Sequence, residues 1–148
     1  MKKTALLVVA ALLLLAAGCS VAVVSLEPSP YGSEQKSDDI EMTVNEQTVS
    51  TDVDTLTLTI RNQSDTEYTY GVMSQIETEI DGVWYVVSPK EEIMWIAIAC
   101  ILEPGGTNEE SVTIKDFYGN LEKGHYRVVK TFSSESGSLD AFATFSVE

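Results

Sequence analysis

The sequence predicts an all-β protein, an antiparallel sandwich of seven to eight short strands without a disulfide. Apolar and polar residues alternate with the period of two that sends successive side chains to opposite faces of a strand. Turn residues separate these runs at roughly the spacing of about 8 to 12 residues that is typical of sandwiches. Cysteine is sparse, with only Cys19 and Cys100 in 148 residues. No stretch has convincing helical periodicity, so helices are not expected.

The first two predicted strands are the clearest. Residues 40–45 (IEMTVN) and 56–61 (LTLTIR) alternate strictly, so each strand is expected to bury one face. The next residues, NQSD from Asn62, have turn chemistry and also match a glycosylation sequon, to which we assign no role. A third strand begins at Tyr68.

A hairpin is predicted around Asp81 and Gly82. These residues supply the positive φ angles of a two-residue turn between ETEI and VWYVV. The turn fixes the register, which pairs 80 with 83, 79 with 84, 78 with 85 and 77 with 86. One face then carries the apolar set Ile76, Ile80, Val83, Tyr85 and Val87.

Trp84 falls on the other face of this hairpin, with Glu77 and Glu79. We expect the glutamate-rich face to be exposed to solvent. Trp84 is therefore a candidate exposed aromatic residue and a candidate binding surface. The alternative is that a bulge or a loop covers the indole, since Trp is usually well buried.

Ten apolar residues follow at 93–102, too few to span a bilayer. The run predicts a strand buried on both faces, with Cys100 as a small buried apolar residue. Val112 and Ile114 indicate another strand, residues 116–124 a link, and residues 140–147 a last strand with its apolar side chains on one face.

Gly124 and Tyr126 refine the fold class. A Gly two residues before a Tyr, followed by an apolar run, is typical of the corner at the second-to-last strand of an immunoglobulin-like sandwich. There the Tyr ring fills the end of the core and its hydroxyl bonds to backbone upstream.

The N-terminus predicts export. Lys2 and Lys3 precede an apolar run, and small residues at 16–18 precede Cys19. This resembles the lipobox of bacterial lipoproteins, although Ala16 stands where Leu is common. The resemblance implies that the thiol of Cys19 takes a diacylglycerol with palmitate-type chains, that Cys19 becomes the new N-terminus, and that the protein is lipid-anchored on the extracytoplasmic face of the cell membrane. The alternative is an uncleaved helix over residues 4–26, which are uncharged and about long enough to span a bilayer.

The predicted domains are therefore a signal segment over 1–19, a flexible tether over 20–39 and a folded domain over 40–148. The Ser- and Pro-containing tether of about 20 residues would reach roughly 25 Å. Loss of Lys2 and Lys3 leaves 7 of 9 basic residues against 23 acidic ones, a formal net charge of 7 − 23 = −16. So acidic a chain argues against nucleic acid as a partner.

No catalytic constellation is visible, so the chain is not expected to be an enzyme. His125 is the only histidine and is expected to be structural or solvated, because general acid–base chemistry needs a positioned partner. We expect no metal and no cofactor, since the acidic pairs lack the spacing of a calcium loop and no phosphate-binding Gly-rich loop is present. The basic residues between 115 and 130 are expected to pair with carboxylates across strands.

Four motifs carry a family resemblance: YTYG (68–71), DGVWY (81–85), LEPG (102–105) and YGNLEKGHYRVVKTF (118–132). In order and spacing they resemble the bacterial immunoglobulin-like domains of short Gram-positive lipoproteins, over about residues 42–147. The resemblance implies a sandwich without a defined activity. The expected function is a non-enzymatic binding module for a protein or cell-wall partner.

Two alternatives remain open. The turns at 61–64 and 103–106 are similar to those of the intracellular proteinase inhibitor family of bacilli, which implies an inhibitor with a presented loop such as residues 88–92. The other alternative is an accessory or spacer domain of an envelope complex.

Overall fold

The computed structural model describes residues 26–90 and 97–148. The predicted signal segment, Cys19 and the first part of the tether lie outside these residues. Within them the chain forms strands and one helical turn. The strands are β1 (Glu27–Pro28), β2 (Ile40–Val44), β3 (Thr48–Val49), β4 (Thr55–Asn62), β5 (Tyr68–Gly71), β6 (Gln75–Ile80), β7 (Val83–Val86), β8 (Ala99–Leu102), β9 (Thr107–Thr113), β10 (Gly124–Ser134) and β11 (Gly137–Val147), with helix α1 (Lys115–Tyr118) before β10.

Two sheets pack face to face as a sandwich, which confirms the predicted fold class. The large sheet has the order β1-β7-β6-β10-β11-β3, and β5 pairs with the far half of β10 and with β8. The small sheet has the order β2-β4-β9. All pairings are antiparallel except that of β3 with β11.

The core lies between the sheets and follows the predicted alternation. β2 and β4 bury every second residue, and Ile40, Val44, Leu56, Leu58 and Ile60 are fully buried. Burying one such side chain contributes about 1.5–3 kcal/mol. Cys100 is a free, half-buried thiol packed against this core. The sandwich is therefore held by its core, without a disulfide among the described residues.

Tyr126 forms the predicted corner. Its hydroxyl donates to the Glu122 carbonyl oxygen at 2.8 Å. The ring is 4% exposed and stacks on Phe145 with centroids 5.5 Å apart. The Gly124–Tyr126 spacing thus predicted both the position and the hydrogen bond of this residue.

The predicted hairpin register is confirmed pair by pair. Asp81 and Gly82 have φ angles of 51° and 79°, as the turn requires. The predicted faces need correction, however. Glu77 on the glutamate-rich face is fully buried, whereas Ile80 and Val83 on the apolar face are 45% and 46% exposed. The hairpin extends past the end of the core, and another segment covers the outer face of its base.

The described part of the apolar run at 93–102, residues 97–102, is not a strand buried on both faces. Residues 91–96 lie outside the described part, and the strand observed is the short β8, with Leu102 buried but Ile101 55% exposed. β8 pairs with β5 alone, at an edge of the large sheet. The predicted link at 116–124 likewise contains the short helix α1, which ends at Gly119 with φ 76°.

The segment from Glu27 to Gln35, here called the strap, differs from the predicted flexible tether. β1 pairs with the edge of β7, and the chain then crosses β6, β10 and β11 before it enters the small sheet at β2. The strap thus adds a third layer on the outer face of the large sheet. The Ser- and Pro-containing composition of residues 20–39 predicted a flexible tether and did not indicate this packing.

Candidate functional site

A buried ion pair lies on the outer face of the large sheet. Arg127 of β10 stands directly opposite Glu77 of β6, and its Nε donates to Glu77 Oε2 at 2.7 Å. The two side chains are 1% and 0% exposed. Gln75 Nε2 and Ser29 Oγ each donate to Glu77 Oε1 at 2.7 Å. The carboxylate is therefore fully hydrogen-bonded, as a buried charge requires.

Two aromatic rings enclose the guanidinium of Arg127. Its Cζ lies 4.4 Å from the ring centroid of Trp84 and 4.1 Å from that of Phe142. Both distances are within the range of a cation–π interaction. Trp84 is half-buried rather than exposed, because its ring packs on Arg127 as part of this cluster.

The strap closes the cluster from the solvent side. Arg127 Nη1 donates to the Gly32 carbonyl at 3.0 Å and Nη2 donates to Ser29 Oγ at 3.3 Å. The Ser29 amide donates to the Trp84 carbonyl at 2.8 Å, and Tyr31 contacts Phe142 edge-on with centroids 6.5 Å apart. The strap contacts Trp84 at its backbone carbonyl, whereas the indole packs on Arg127 and His125, so the alternative of a loop over the ring stays a prediction. The arrangement can hold two segments together, and it offers no activated nucleophile.

His125 lies at the rim of this cluster. Its Nδ1 is 2.7 Å from Glu79 Oε2, with the side chains 46% and 32% exposed, and its ring is 5.5 Å from that of Trp84. No nucleophilic side chain forms a third member of this contact in the described part of the chain. Within residues 26–90 and 97–148 no group of three His, Cys, Asp or Glu side chains could hold a metal ion. The pair therefore connects β6 to β10, with no chemistry assigned to it.

The tip of the β6–β7 hairpin, residues 80–83, carries two of the exposed large apolar side chains of the described residues, Ile80 and Val83, and Met73, Ile98 and Ile101 are more exposed still. Ile80 and Val83 oppose each other across the turn and are both nearly half exposed. Asp81 lies between them at the turn, and Glu79 and Trp84 follow on the outer face. The tip is therefore an exposed apolar pair with acidic neighbours.

Of the four basic residues between 115 and 130, Arg127 pairs with a carboxylate on the neighbouring strand, as predicted, and Lys130 pairs with one on the opposite sheet. Besides Arg127 with Glu77, Lys130 Nζ lies 2.9 Å from Glu110 Oε2. Lys130 is buried between the sheets and also donates to the carbonyls of Gly71, Val72 and Met73. It thereby fixes the bend at which β5 gives way to β6 beside β10.

Asn62 of the sequon is a structural residue. It is fully buried, and its Nδ2 donates to the carbonyls of Thr66 at 2.6 Å and Glu103 at 3.1 Å. Its Oδ1 accepts from the amide and the hydroxyl of Ser64. Asn62 therefore joins the turn after β4 to the turn before β9, and its side chain is not accessible.

The proposed inhibitor loop, residues 88–92, is only partly described. Ser88, Pro89 and Lys90 are exposed, and the Lys90 amide donates to the Phe117 carbonyl at 2.7 Å. Nothing in these three residues distinguishes a protease-binding loop from an ordinary connection. The described residues also contain no helix long and apolar enough to cross a membrane.

Comparisons with solved structures give distant likenesses. One is a DNA-bound alkylpurine DNA glycosylase AlkC from Pseudomonas fluorescens, with 14% identity and a TM-score of 0.40 over 74% of this chain. The match covers 30% of the glycosylase chain. Another is PapD-like domain 7 of human CEP192, with 13% identity and a TM-score of 0.36 over 84% of this chain and 95% of that domain. Comparison with curated proteins finds no match.

The family comparison is specific. The family profile of the bacterial Ig-like domain matches residues 36–146, which include both sheets from β2 onwards and the Tyr126 corner. The match covers well over half of the chain and agrees with the observed sandwich. The chain therefore belongs to the bacterial Ig-like domain family.

Proposed function

We propose that this protein is a lipid-anchored, extracytoplasmic interaction module that contacts a protein partner through the tip of the β6–β7 hairpin. The observation that carries the proposal is the exposed apolar pair Ile80 and Val83, which lies at the turn of the β6–β7 hairpin. Isolated apolar residues are common on surfaces. Here two of them form a directly opposed pair at the end of the sandwich.

The charge of the chain and its family both support an interaction module. Asp81 and Glu79 border the tip in a chain whose formal net charge is −14, so an apolar patch with a basic rim is the complementary partner surface. Ig-like domains are generally non-catalytic. Trp84 stands at the edge of the proposed surface, but its ring also packs on Arg127, so truncating it would change folding and binding together.

The proposed anchor is a lipid on Cys19, supported by the basic residues, apolar run and small residues that precede this cysteine. Intact-mass measurement of protein extracted from membranes tests it. A lipidated chain beginning at Cys19 supports the anchor, and a full-length unmodified chain favours the uncleaved helix.

The tip is tested by capture of envelope proteins with the tagged full chain and two variants. The double variant Ile80→Ser/Val83→Ser removes the apolar pair at the tip. The control, Ile101→Ser, changes a residue of similar exposure on β8. We expect a protein captured by the parent chain to be lost with the tip variant and retained with the control. Capture that is equal in all three would contradict the proposed surface.

A further inference from the structure

We propose that a cavity between the strap and β11 binds one ring of a neutral saccharide. The cavity has a volume of about 200 Å³. Pockets for drug-sized ligands begin at roughly 300 Å³, so this one fits a single ring rather than a chain of rings. Its lining includes no residue of the hairpin tip, and the proposal does not depend on the lipid anchor.

The strap forms one wall of the cavity and is held against β11 at two points. Tyr31 contacts the ring of Phe142 edge-on, with centroids 6.5 Å apart. Gln35 Oε1 accepts from the Phe142 amide at 3.2 Å. The residues between these two contacts, 32–34, are exposed. The wall therefore stands in place before any ligand arrives, which lowers the entropic cost of binding.

The other wall of the cavity is the outer face of β11. Ser138, Asp140 and Phe142 all line the cavity, and they share one face because successive side chains of a strand alternate. Asp140 Oδ1 accepts from Thr131 Oγ1 at 2.6 Å. Asp140 Oδ2 has no hydrogen bond to the described residues, so it is free to accept one from a ligand.

The lining combines aromatic surface with hydrogen-bonding groups of both kinds. Tyr31 and Phe142 supply ring surface. Glu34 and Asp140 supply acceptors, and Lys36 supplies a donor. Neither Glu34 nor Lys36 forms an ion pair within the described part of the chain. A saccharide ring matches this lining because it has an apolar C–H face and an edge of hydroxyls, each of which both donates and accepts.

The charges around the cavity favour a neutral ligand over an ion. Glu34 and Asp140 repel an anion, and the formal net charge of −14 adds to this repulsion. A cation is disfavoured by Lys36 and by the guanidinium of Arg127, whose Cζ already lies 4.1 Å from the ring centroid of Phe142. A neutral ring with several hydroxyls avoids both penalties.

Saturation-transfer NMR of the full chain, in a detergent without a sugar headgroup, tests the site. The probes are N-acetylglucosamine, a neutral single ring, and tetramethylammonium, a cation that aromatic rings bind. We expect transfer to N-acetylglucosamine and a weaker affinity for tetramethylammonium. No binding of N-acetylglucosamine up to about 10 mM, or tighter binding of the cation, would overturn the proposal.

A variant of the two lining carboxylates locates the site. Glu34→Gln/Asp140→Asn removes both charges and leaves the two strap contacts in place, so the fold is retained. We expect its affinity for N-acetylglucosamine to fall about tenfold, because a charged acceptor forms a stronger hydrogen bond than a neutral one. The control Glu67→Gln removes an exposed carboxylate outside the cavity and should bind as the parent chain does. Equal affinities of the three proteins would overturn the site.

Retention on purified peptidoglycan identifies the source of the saccharide. Retention of the parent chain and its loss in Glu34→Gln/Asp140→Asn would assign the site to a glycan of the cell wall. Binding of N-acetylglucosamine without retention would assign it to a free saccharide, and either result supports the site. The tip variant Ile80→Ser/Val83→Ser should bind N-acetylglucosamine as the parent does, so the failure of one proposal is distinguishable from the failure of the other. Loss of that binding in the tip variant would overturn the location proposed here.

Discussion

Arg127 and Glu77 face each other on neighbouring strands, and Nε of the arginine lies 2.7 Å from Oε2 of the glutamate while both side chains are at most 1% exposed. This pair lies on the outer face of the sheet, a position that a two-layer sandwich would leave in water. It is buried because the strap forms a third layer over it.

Breaking this pair should destabilise the domain strongly. Arg127→Met leaves the Glu77 carboxylate buried without its cationic partner, and removal of one partner from a buried pair costs roughly 3–5 kcal/mol. Arg127→Met/Glu77→Leu removes both charges and should recover much of that loss. The free energies of unfolding in urea measure both changes.

The control for the ion pair is Glu79→Gln at the exposed rim. Its contact with His125 is partly solvated, so the change should cost less than about 1 kcal/mol. An Arg127→Met variant as stable as the control would contradict the buried pair.

Substitution of Asn62 should also destabilise the domain, as substitution of Arg127 does. Asn62→Ala removes the buried amide that joins two turns and takes one hydrogen-bond donor from each of the carbonyls of Thr66 and Glu103, at a cost of roughly 1–3 kcal/mol. Asn45→Ala serves as the control, since its hydrogen bond to Thr59 is exposed and should be worth less than about 0.5 kcal/mol. Thermal and urea unfolding would show the contrast. Similar losses in the two variants would refute the linking role of Asn62.

Stability should fall at alkaline pH. Burial raises the pKa of Tyr70 to about 12, and the hydrogen bond to Asp39 raises the pKa of Tyr68 to about 12. In the unfolded chain these phenols ionise near the ordinary tyrosine pKa of 10.0. Between about pH 10 and 12 the folded state therefore keeps protons that the unfolded state loses. The stabilisation that these two phenols contribute is fully present below about pH 10 and is lost as the pH rises to about 12.

Unfolding midpoints measured from pH 8 to 12 test this dependence. Tyr70→Phe removes one ionising group, so its stability should decline less steeply above pH 10 than that of the parent chain. Parallel curves for the two proteins would contradict the assignment to Tyr70.

The features that the sequence predicted well are local. Asp81 and Gly82 fix the hairpin register because the turn type allows only one pairing, and the Gly124–Tyr126 spacing locates the corner because its hydrogen bond spans only four residues. The alternation of apolar and polar residues in β2 and β4 located the core because it depends only on residues within each strand.

The features that the sequence did not predict depend on distant segments. The burial of Glu77 requires the strap, 48 residues away at Ser29, and nothing in the pattern of β6 indicates it. The edge position of β8 depends on which strand it joins, so ten apolar residues were interpreted as a fully buried strand. An arginine opposite a glutamate would have been the available signal, but it requires the β6–β10 register to be known.

The most direct test of the central claim, that the strap packs on the large sheet, is hydrogen exchange of the full chain at the Ser29 amide. This amide donates to the Trp84 carbonyl, so it should exchange much more slowly than the amide of Glu34, and Tyr31→Ala should accelerate it. Exchange of the Ser29 amide as fast as that of Glu34 in the parent chain would contradict the claim.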